Sequence, residues 1–317
     1  MDIRPLTMED APVVSDLINR FERFWELPVS TPPSEIEDDL DEPFVDRDLD
    51  TRGYWLDGSL VAYGLVWHRP SGAREERAIL IGVVDPDYRG QGIGRHLLDW
   101  QIGRGRESLS SCDPSLPWYL RTQEFDWIED SFRLYRRFGL EPVRLIKEMI
   151  RPLETPVAAR SVDGVEILPW DRSLDEGTRE ALNEAFGDHW GSTRIDPDSF
   201  QHLLERNAVR LDLSFQAVAD SEVVGYSLNA FFPDDEQVTG RREGWVRSLG
   251  VKQAWRGRGV ASALLENSFN AFIDAGLTHS ILGVDTENPT GAFGLYEGLD
   301  YEMLHGTVIT QLEVGHS

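Results

Sequence analysis

A short glycine-rich motif occurs twice in this 317-residue chain. The first copy reads YRGQGIGRHLL from Tyr88, and the second reads WRGRGVASALL from Trp255. In such a loop before a helix, several backbone N–H groups point into one concavity, and the helix dipole makes that concavity attractive to anions. Glycines also let a phosphate approach the backbone closely. The motif therefore predicts two phosphate-binding sites.

Two familiar phosphate-binding loops do not fit these residues. A Walker loop needs Gly-Lys-Ser/Thr after its glycines, and neither copy has it. A dinucleotide fingerprint opens a βαβ unit near the start of a domain, whereas these loops lie more than halfway through each half of the chain and follow an arginine. The two copies indicate an anion-binding loop of another kind.

The segments around each copy predict a strand before the loop and a helix after it. AILIGVV, from Ala78, is a continuous apolar run typical of a strand buried on both faces. GIGRHLLDWQIGRG and GVASALLENSFNAFIDAG have apolar residues at helical spacing, and the second segment ends at Gly276. Each half as a whole predicts a strand, two helices, a run of strands, a helix, a strand, a helix and terminal strands.

The repeat extends beyond the motif. Phe21-x-x-x-Trp25 matches Phe186-x-x-x-Trp190, and a Leu-Tyr pair ends at Tyr135 in one half and at Tyr296 in the other. A period this long, present only twice, indicates duplicated domains. The predicted domains are residues 1–152 and 163–317, with a linker at about 151–164 where prolines and charges interrupt the periodicity.

Composition limits the partners of this protein. Its 56 acidic and 31 basic side chains give a net charge of −25, which repels nucleic acids and anionic membranes, so neither is an expected partner. This charge serves either solubility or attraction of an amine-bearing substrate.

Cys112 is the single cysteine, which excludes an intrachain disulfide and fits a reducing compartment. Without a targeting or transmembrane pattern, we expect a cytoplasmic monomer or homodimer, and no metal site is predicted.

The two motifs resemble the acyl-CoA-binding motif of the GNAT superfamily of N-acyltransferases. That motif is Arg/Gln-x-x-Gly-x-Gly/Ala after a strand ending in Val, and VKQAWRGRGVA and VDPDYRGQGIG both match it. The resemblance covers nearly the whole chain. It implies an α/β fold of two tandem GNAT-like domains, each with a mostly antiparallel, splayed mixed sheet flanked by helices, and it implies acetyl-CoA as the cofactor.

The resemblance also implies which residues hold CoA. Loop amides would bind the pyrophosphate, the free backbone of the preceding strand would pair with pantetheine, and one strand N–H would polarise the thioester carbonyl. In the C-terminal half these residues are Leu249, Gly250, Val251, Arg256, Gly257, Arg258, Gly259, Val260, Ala261 and Ser262. In the N-terminal half they are Gly82, Val83, Val84, Arg89, Gly90, Gln91, Gly92, Ile93, Gly94, Arg95 and Tyr135.

Acetyl transfer to an amine needs a proton donor for the leaving thiolate. By the resemblance, Tyr296 falls at the position of the family's tyrosine general acid, and Asn288 at that of its CoA-contacting asparagine. The alternative for Tyr296 is a plain core aromatic residue. A tyrosine pKa near 10 suffices to reprotonate a thiolate of pKa about 8.5.

The reaction also needs a base for the acceptor ammonium. Glu243 lies thirteen residues before Arg256, and Glu76 lies thirteen before Arg89. Strand alternation predicts residues 243, 245, 247, 249 and 251 on one face, with Glu243 overlooking the acceptor end of the cleft. The alternatives are a solvated Glu243, or His189 as the base.

The C-terminal half is the predicted catalytic domain. Trp127 stands where Asn288 would align, and six extra residues separate Arg89 from Tyr135 compared with the second copy, so the N-terminal half is predicted to be degenerate or to hold CoA only. The favoured function is an acetyl-CoA-dependent N-acetyltransferase acting on a small, cationic primary amine. The alternative is a non-catalytic acyl-CoA-binding or sensing protein.

Overall fold

The structure, a computed structural model, describes residues 1–70, 74–187, 189–287 and 292–315. The first half contains, in order, β1 (Asp2–Arg4), α1 (Ala11–Phe24), α2 (Pro33–Leu40), α3 (Arg47–Asp50), β2 (Thr51–Leu56), β3 (Ser59–Trp67), β4 (Glu76–Val84), α4 (Ile93–Leu109), β5 (Trp118–Phe125), α5 (Glu129–Arg137) and β6 (Glu141–Pro152). The second contains β7 (Glu166–Pro169), α6 (Asp175–Ala185), α7 (Pro197–Glu205), β8 (Phe215–Ala219), β9 (Glu222–Phe231), α8 (Glu236–Thr239), β10 (Glu243–Val251), α9 (Val260–Asp274), β11 (His279–Asp285), α10 (Ala292–Glu297) and β12 (Glu302–Val314).

The predicted order of elements is found in both halves, except that the short helices α3 and α8 were not predicted and each half ends in a single strand. The glycine after the long helix of the second half is confirmed. Helix α9 is followed by Gly276, which has a φ of +73° and donates its N–H to Ile273 O at 2.8 Å. A left-handed residue ends a helix in this way, and glycine adopts it at least cost. Among the described residues, no helix combines the length and the apolarity that crossing a bilayer requires.

The chain forms two compact units. Unit 1 comprises Met1–Leu145 and the segment that begins at Gly306, and unit 2 comprises Ile146–His305. In unit 1, neighbouring strands pair in the order β1-β2-β3-β4-β5-β12, and in unit 2 in the order β7-β8-β9-β10-β11-β6. Among the pairings within each unit of the described chain, β4–β5 and β10–β11 are the parallel ones. Each unit is therefore a mixed, mostly antiparallel sheet, as predicted.

Helices cover both faces of each sheet. In unit 1, α4 packs on one face through Leu98 and Ile102, and α1 and α2 pack on the other through Leu17 and Ile36. In unit 2, α9 covers one face, and α6 and α7 cover the other. Burial of these apolar side chains is the main stabilising contribution to each core.

The division of the chain into units differs from the predicted boundaries. The end of β12, Thr307–Val314, pairs with β5 in unit 1, and the end of β6, Ile146–Pro152, pairs with β11 in unit 2. Each half of the sequence thus supplies the last strand of the other unit. Strand pairing partners are non-local, and both final strands have patterns that fit either sheet, so sequence periodicity alone did not reveal this exchange.

The exchange predicts that residues 1–145 are unstable alone. Without β12 the edge of β5 is left unpaired, and the buried hydrogen bond between Thr122 and Thr310 (2.7 Å) is lost. At about 1 kcal/mol per hydrogen bond, eight missing residue pairs should lower the free energy of unfolding by several kcal/mol. Urea denaturation should show this loss, and residues 306–315 attached through a flexible linker should restore stability. Equal stability of the two forms would contradict the prediction.

Candidate functional site

The glycine-rich loop of unit 2 leads into α9 with its backbone open to a ligand. Gly257 and Gly259 have φ values of +73° and +87°, and Gly259 caps the helix without a side-chain hydrogen bond. A Cβ at Gly257 would meet no atom within 4 Å, and one at Gly259 would meet only Arg160 Cδ, at 3.6 Å. The first N–H groups of the helix are therefore available to an anion.

Unit 1 repeats this geometry at the start of α4. Gly90 and Gly92 have φ values of +77° and +87°, and a Cβ at either would meet no atom within 4 Å among the described residues. These loops fit the pyrophosphate of CoA, because positive-φ glycines leave space where an anion would sit against backbone amides. Both units therefore have the open loop geometry that the predicted phosphate cradle requires. The predicted CoA-binding residues that follow each loop lie in the first turn of α4 or α9. Ile93, Val260 and Ser262 are buried, whereas Gly94, Arg95 and Ala261 are at least partly exposed.

The arginine that leads each motif does not face its loop. Arg256 donates to Val251 O at 3.2 Å and to Ala185 O at 2.8 Å, so it fastens the loop to the end of β10 and to α6. Arg89 forms an ion pair with Asp130 and lies over the Trp25 ring at 4.9 Å. Both act as braces for the loop.

Two other basic side chains lie at the unit 2 loop. Arg258 stacks on Trp255 at 4.7 Å, and Gln91 is its exposed counterpart in unit 1. Arg160 is held beside Gly259 by three hydrogen bonds to Glu266, one of them from its backbone N–H at 2.8 Å. Arg160 is not predicted from the sequence because it belongs to the predicted linker, far from the motif along the chain.

The strand before each loop separates from its parallel neighbour. β10 pairs with β11 only from Glu243 to Val246, and β4 pairs with β5 only from Glu76 to Ile79. Leu249–Val251 and Gly82–Val84 pair with the antiparallel strand on their other side. The predicted splay is therefore present in both units, because the parallel pairing ends well before each glycine-rich loop.

A β-bulge in β10 makes the two units differ. The pairing register with β9 shifts between Val246 and Ser248, whereas the β3–β4 register runs without a shift. A bulge inserts one extra residue, here Arg247, bends the strand and interrupts alternation. It also lies where β10 leaves β11, although unit 1 shows the same divergence without a bulge.

The predicted alternation of residues 243 to 251 is therefore wrong. A Cβ at Gly244 would touch Phe272 of α9 at 2.5 Å, whereas one at Gly250 would touch Tyr226 at 2.5 Å and Ala185 of α6 at 3.2 Å. Leu249 and Val251 pack with the α9-side apolar cluster. Glu243 thus lies on the α6–α7 face, opposite Leu249 and Val251.

Because of the bulge, Glu243 and Glu76 lie on different faces of their sheets, although their equal distances from the motif arginines predict equivalent positions. Ala78 and Leu80, which share the alternation of Glu76, pack against α4 in unit 1. Glu76 therefore lies on the α4 face, the counterpart of the α9 face in unit 2. Equal sequence offsets put the two carboxylates on opposite sides of their sheets.

Tyr296 lies in α10, the next element along the chain after β11. It is 9% exposed, packs in the cluster that contains Val246 and Val284, and meets the Tyr301 ring edge-on at 5.9 Å. Burial raises the pKa of Tyr296 to about 12, higher than the value near 10 assumed from sequence. No side-chain hydrogen bond to its hydroxyl occurs within the described parts of the chain. The phenol is thus protonated at neutral pH and available as a donor.

Glu243 is a buried carboxylate rather than a solvated one. It is 5% exposed and accepts a 2.6 Å hydrogen bond from Arg241 Nε. Burial raises the pKa of Glu243, and the Arg241 guanidinium opposes part of that rise. A base with a raised pKa accepts a proton more readily near neutral pH. Arg241 is only two residues away in the sequence, so charge pairing along the chain could have indicated it.

Two further residues predicted from the sequence are His189, which follows α6, and Asn288. His189 is half-buried in the segment after α6, where its ring meets Phe186 at 4.7 Å. Asn288 lies outside the described residues.

Tyr135, the unit 1 counterpart of Tyr296, has different surroundings. Burial and the nearby Glu124 carboxylate raise the pKa of Tyr135, and hydrogen-bonding interactions with Thr122 and Ser131 oppose the rise. Ser131 in turn donates to Glu124 at 3.0 Å. The Tyr135 hydroxyl therefore sits within an internal polar group of unit 1.

Comparison with known proteins agrees with this geometry. The profile of the acetyltransferase (GNAT) family matches residues 15–139 and 176–301. Mycothiol acetyltransferase of Thermobispora bispora is 28% identical over 221 residues, covering 69% of this chain and 70% of its own length. The mycothiol acetyltransferase of Catenulispora acidiphila is 28% identical over 249 residues, covering 73% and 71%.

Solved structures show the same fold. A GCN5-related N-acetyltransferase from Sphaerobacter thermophilus has a TM-score of 0.73 at 26% identity, covering 99% of this chain and 96% of its own. A tandem GNAT protein from the clavulanic acid biosynthesis pathway has a TM-score of 0.74, covering 100% and 99%, and at 15% identity it supports the fold alone. The two profile matches, the paired phosphate cradles and the splayed sheets agree. The chain therefore belongs to the GNAT family of acetyltransferases, with two of its domains in tandem, and is an acyltransferase.

Proposed function

We propose that unit 2 transfers the acetyl group of acetyl-CoA to the primary amine of a small acceptor, and that unit 1 binds acetyl-CoA without comparable turnover. The observation that carries this proposal is the arrangement around the unit 2 cleft. Its parts are an open phosphate cradle, a bulged strand that leaves its neighbour, and Tyr296, which is protonated at neutral pH and lies in the helix after β11.

In this proposal the backbone of unit 2 holds the cofactor. The N–H groups from Gly257 to Ser262 bind the pyrophosphate, and Arg160 and Arg258 supply positive charge beside it. The free edge of Leu249–Val251 pairs with the amides of pantetheine, and one N–H of this edge polarises the thioester carbonyl. Arg256 keeps the loop in place through its two carbonyl contacts.

The proposed reaction is direct attack. The acceptor ammonium first loses a proton to Glu243, directly or through water, and the neutral nitrogen then forms a C–N bond with the thioester carbon. The C–S bond breaks as a second proton passes from the nitrogen, directly or through water, to the departing sulfur, so that CoA leaves as the thiol. Because the pKa of Tyr296 is about 12, its hydroxyl acts chiefly as a hydrogen-bond donor to the departing sulfur.

Glu243 is preferred over His189 as the base. Glu243 lies on the sheet face that α6 and α7 cover, and its burial favours proton uptake near neutral pH. His189 follows α6 and remains the second candidate for this role.

The acceptor in this proposal is cationic. Besides the net charge of −25, a second carboxylate acts on Glu243: Glu148, which pairs with His305 at 2.9 Å. One further carboxylate near the base, together with the net negative charge, favours an ammonium over a neutral or acidic acceptor. Relatives that are mycothiol acetyltransferases support a small-molecule acceptor over a protein one.

The surroundings of corresponding residues in the two units support a difference in catalytic activity between them. In unit 2 the tyrosine hydroxyl is free for a ligand among the described residues, whereas in unit 1 Tyr135 interacts with Thr122, Ser131 and Glu124. Glu76 lies on the α4 face, so unit 1 has no counterpart to Glu243 at that sequence offset.

A screen of small primary amines for thiol release from acetyl-CoA tests the proposed function. We expect release with one or more cationic amines and none with matched alcohols or carboxylic acids. Thermal shift with CoA alone separates binding from turnover. A CoA-dependent rise in melting temperature without thiol release for any amine would favour the non-catalytic binding protein instead.

The variant Glu243→Gln should change the pH dependence of turnover. Glutamine keeps the shape but cannot take a proton, whereas an amine of pKa about 9 to 10 is nearly all protonated at pH 7. Turnover at neutral pH should fall at least about 10-fold and recover partly as pH approaches the pKa of the amine. In the wild type, the rate should rise with pH through the raised pKa of Glu243. An unchanged pH–rate profile in the variant would move the base role to His189.

A further inference from the structure

Unit 1 brings together the only cysteine of the sequence, a histidine and a glutamate. His68 directly follows β3, Glu76 begins β4, and Cys112 lies in the segment after α4. One ligating atom from each residue lies within 4.8 Å of the other two. Cys112 Sγ is 3.5 Å from His68 Nε2, and that nitrogen is 3.9 Å from Glu76 Oε2.

These distances fit the edges of a metal coordination shell. Zinc binds thiolate at about 2.3 Å and imidazole or carboxylate at about 2.0 to 2.2 Å, in tetrahedral geometry. Ligand atoms of such a shell are therefore about 3.3 to 3.6 Å apart. The sulfur–nitrogen distance lies in this range, and the nitrogen–oxygen distance of 3.9 Å and the sulfur–oxygen distance of at most 4.8 Å would have to shorten to it when a metal binds. At 3.9 Å the imidazole–carboxylate contact is too long for a direct hydrogen bond.

The burial and the charge of these three side chains also favour a bound metal cation. The side chains of His68 and Glu76 are 9% and 2% exposed, and Cys112 is half-buried. A divalent cation would displace the thiol proton of Cys112 on binding, and its charge would then be balanced by the thiolate and the Glu76 carboxylate where water is largely excluded. The neighbouring Asp50 is paired with Arg104 at 2.7 Å, so that ion pair balances its own charge.

We propose that His68, Glu76 and Cys112 bind one Zn²⁺ ion in unit 1, with water as the fourth ligand. The ion connects the end of β3, the start of β4 and the segment after α4, and so braces the end of the sheet opposite the phosphate loop. Sulfur, nitrogen and oxygen together are a donor set that suits zinc better than Mg²⁺ or Ca²⁺. Thirty-five or more residues separate Cys112 from the other two ligands, which is why sequence analysis predicted no metal site.

Cobalt(II) is a direct probe of this site because the chain has one cysteine. One equivalent of Co²⁺ added to the untagged, chelator-treated protein should produce cobalt–thiolate charge-transfer absorption, and Zn²⁺ should displace it. Zn²⁺ should also slow alkylation of Cys112 at least about 10-fold and raise the melting temperature. The absence of thiolate absorption in the wild-type protein would overturn the proposal without any variant.

Variants test the other two ligands. His68→Gln and Glu76→Gln should each weaken Co²⁺ binding at least about 100-fold, because even a partner of a metal ligand costs about 10- to 100-fold when removed. His96→Gln is the matched control, since His96 lies in unit 1 and binds Tyr54 at 2.9 Å. Melting temperatures in chelator show whether each variant folds. Undiminished binding in folded His68→Gln and Glu76→Gln would reduce the site to a surface thiol and end the proposal.

Discussion

Tyr296→Phe is expected to lower kcat roughly 10- to 1000-fold, the contribution of a positioned proton or hydrogen-bond donor in the transition state. The substitution removes only a hydroxyl that has no side-chain partner among the described residues, so the fold should be unaffected. The affinity for acetyl-CoA should change little, because the donor acts on charge that develops at sulfur during the reaction. Steady-state kinetics with a cationic amine and calorimetry with CoA measure the two effects separately.

Tyr135→Phe is the matched control for this prediction. It removes the same atom from the corresponding position of unit 1 and should leave kcat within about twofold of the wild-type value. Because the Tyr135 hydroxyl interacts with Thr122 and Ser131, this variant can lose some stability. A large loss of kcat in Tyr135→Phe, with Tyr296→Phe near normal, would assign catalysis to unit 1.

Gly259→Val should abolish CoA binding in unit 2. The valine Cβ would enter the space against the backbone where the pyrophosphate would lie, and a β-branched residue disfavours the φ of +87°. Calorimetry should show the loss of one CoA per chain, together with acetyl transfer. Gly92→Val should remove the unit 1 site and spare turnover.

A control separates loss of the site from backbone strain. Gly164 also has a positive φ, +72°, and a Cβ there would meet no atom within 4 Å, but it lies before β7 in the chain and outside the loop. Gly164→Val should cost similar stability through φ strain, about 1 to 2 kcal/mol, with CoA binding intact. Two undiminished CoA sites in Gly259→Val would refute the role of this loop.

The sequence by itself predicted the local parts of this protein well. Strand β4, the glycine caps and α9 depend on apolar spacing and on residues that tolerate positive φ, which are properties of short segments. The duplication was visible because order and spacing recur along the chain. The family followed from these same segments, since its motif is a strand, a loop and a helix start.

The roles of single side chains were harder to predict, since they depend on direction. Arg256 and Arg89 were predicted at the phosphate, but they bind backbone carbonyls and Asp130. Arg160 was assigned to a linker, yet it lies beside Gly259. Long side chains reach different partners from the same backbone position, and spacing along the chain does not determine which partner they meet.

Only the tertiary structure decided which face of the sheet each carboxylate occupies and where each final strand pairs. The bulge at Arg247 reverses alternation within β10, so Glu243 faces α6 and α7, whereas Glu76 faces α4 beside His68 and Cys112. Likewise, β6 and β12 end in exchanged sheets. Sequence patterns determine the period of a strand, but its register, its bulges and its neighbours are set by contacts between residues far apart in the chain, whose energies appear only when the whole core is packed.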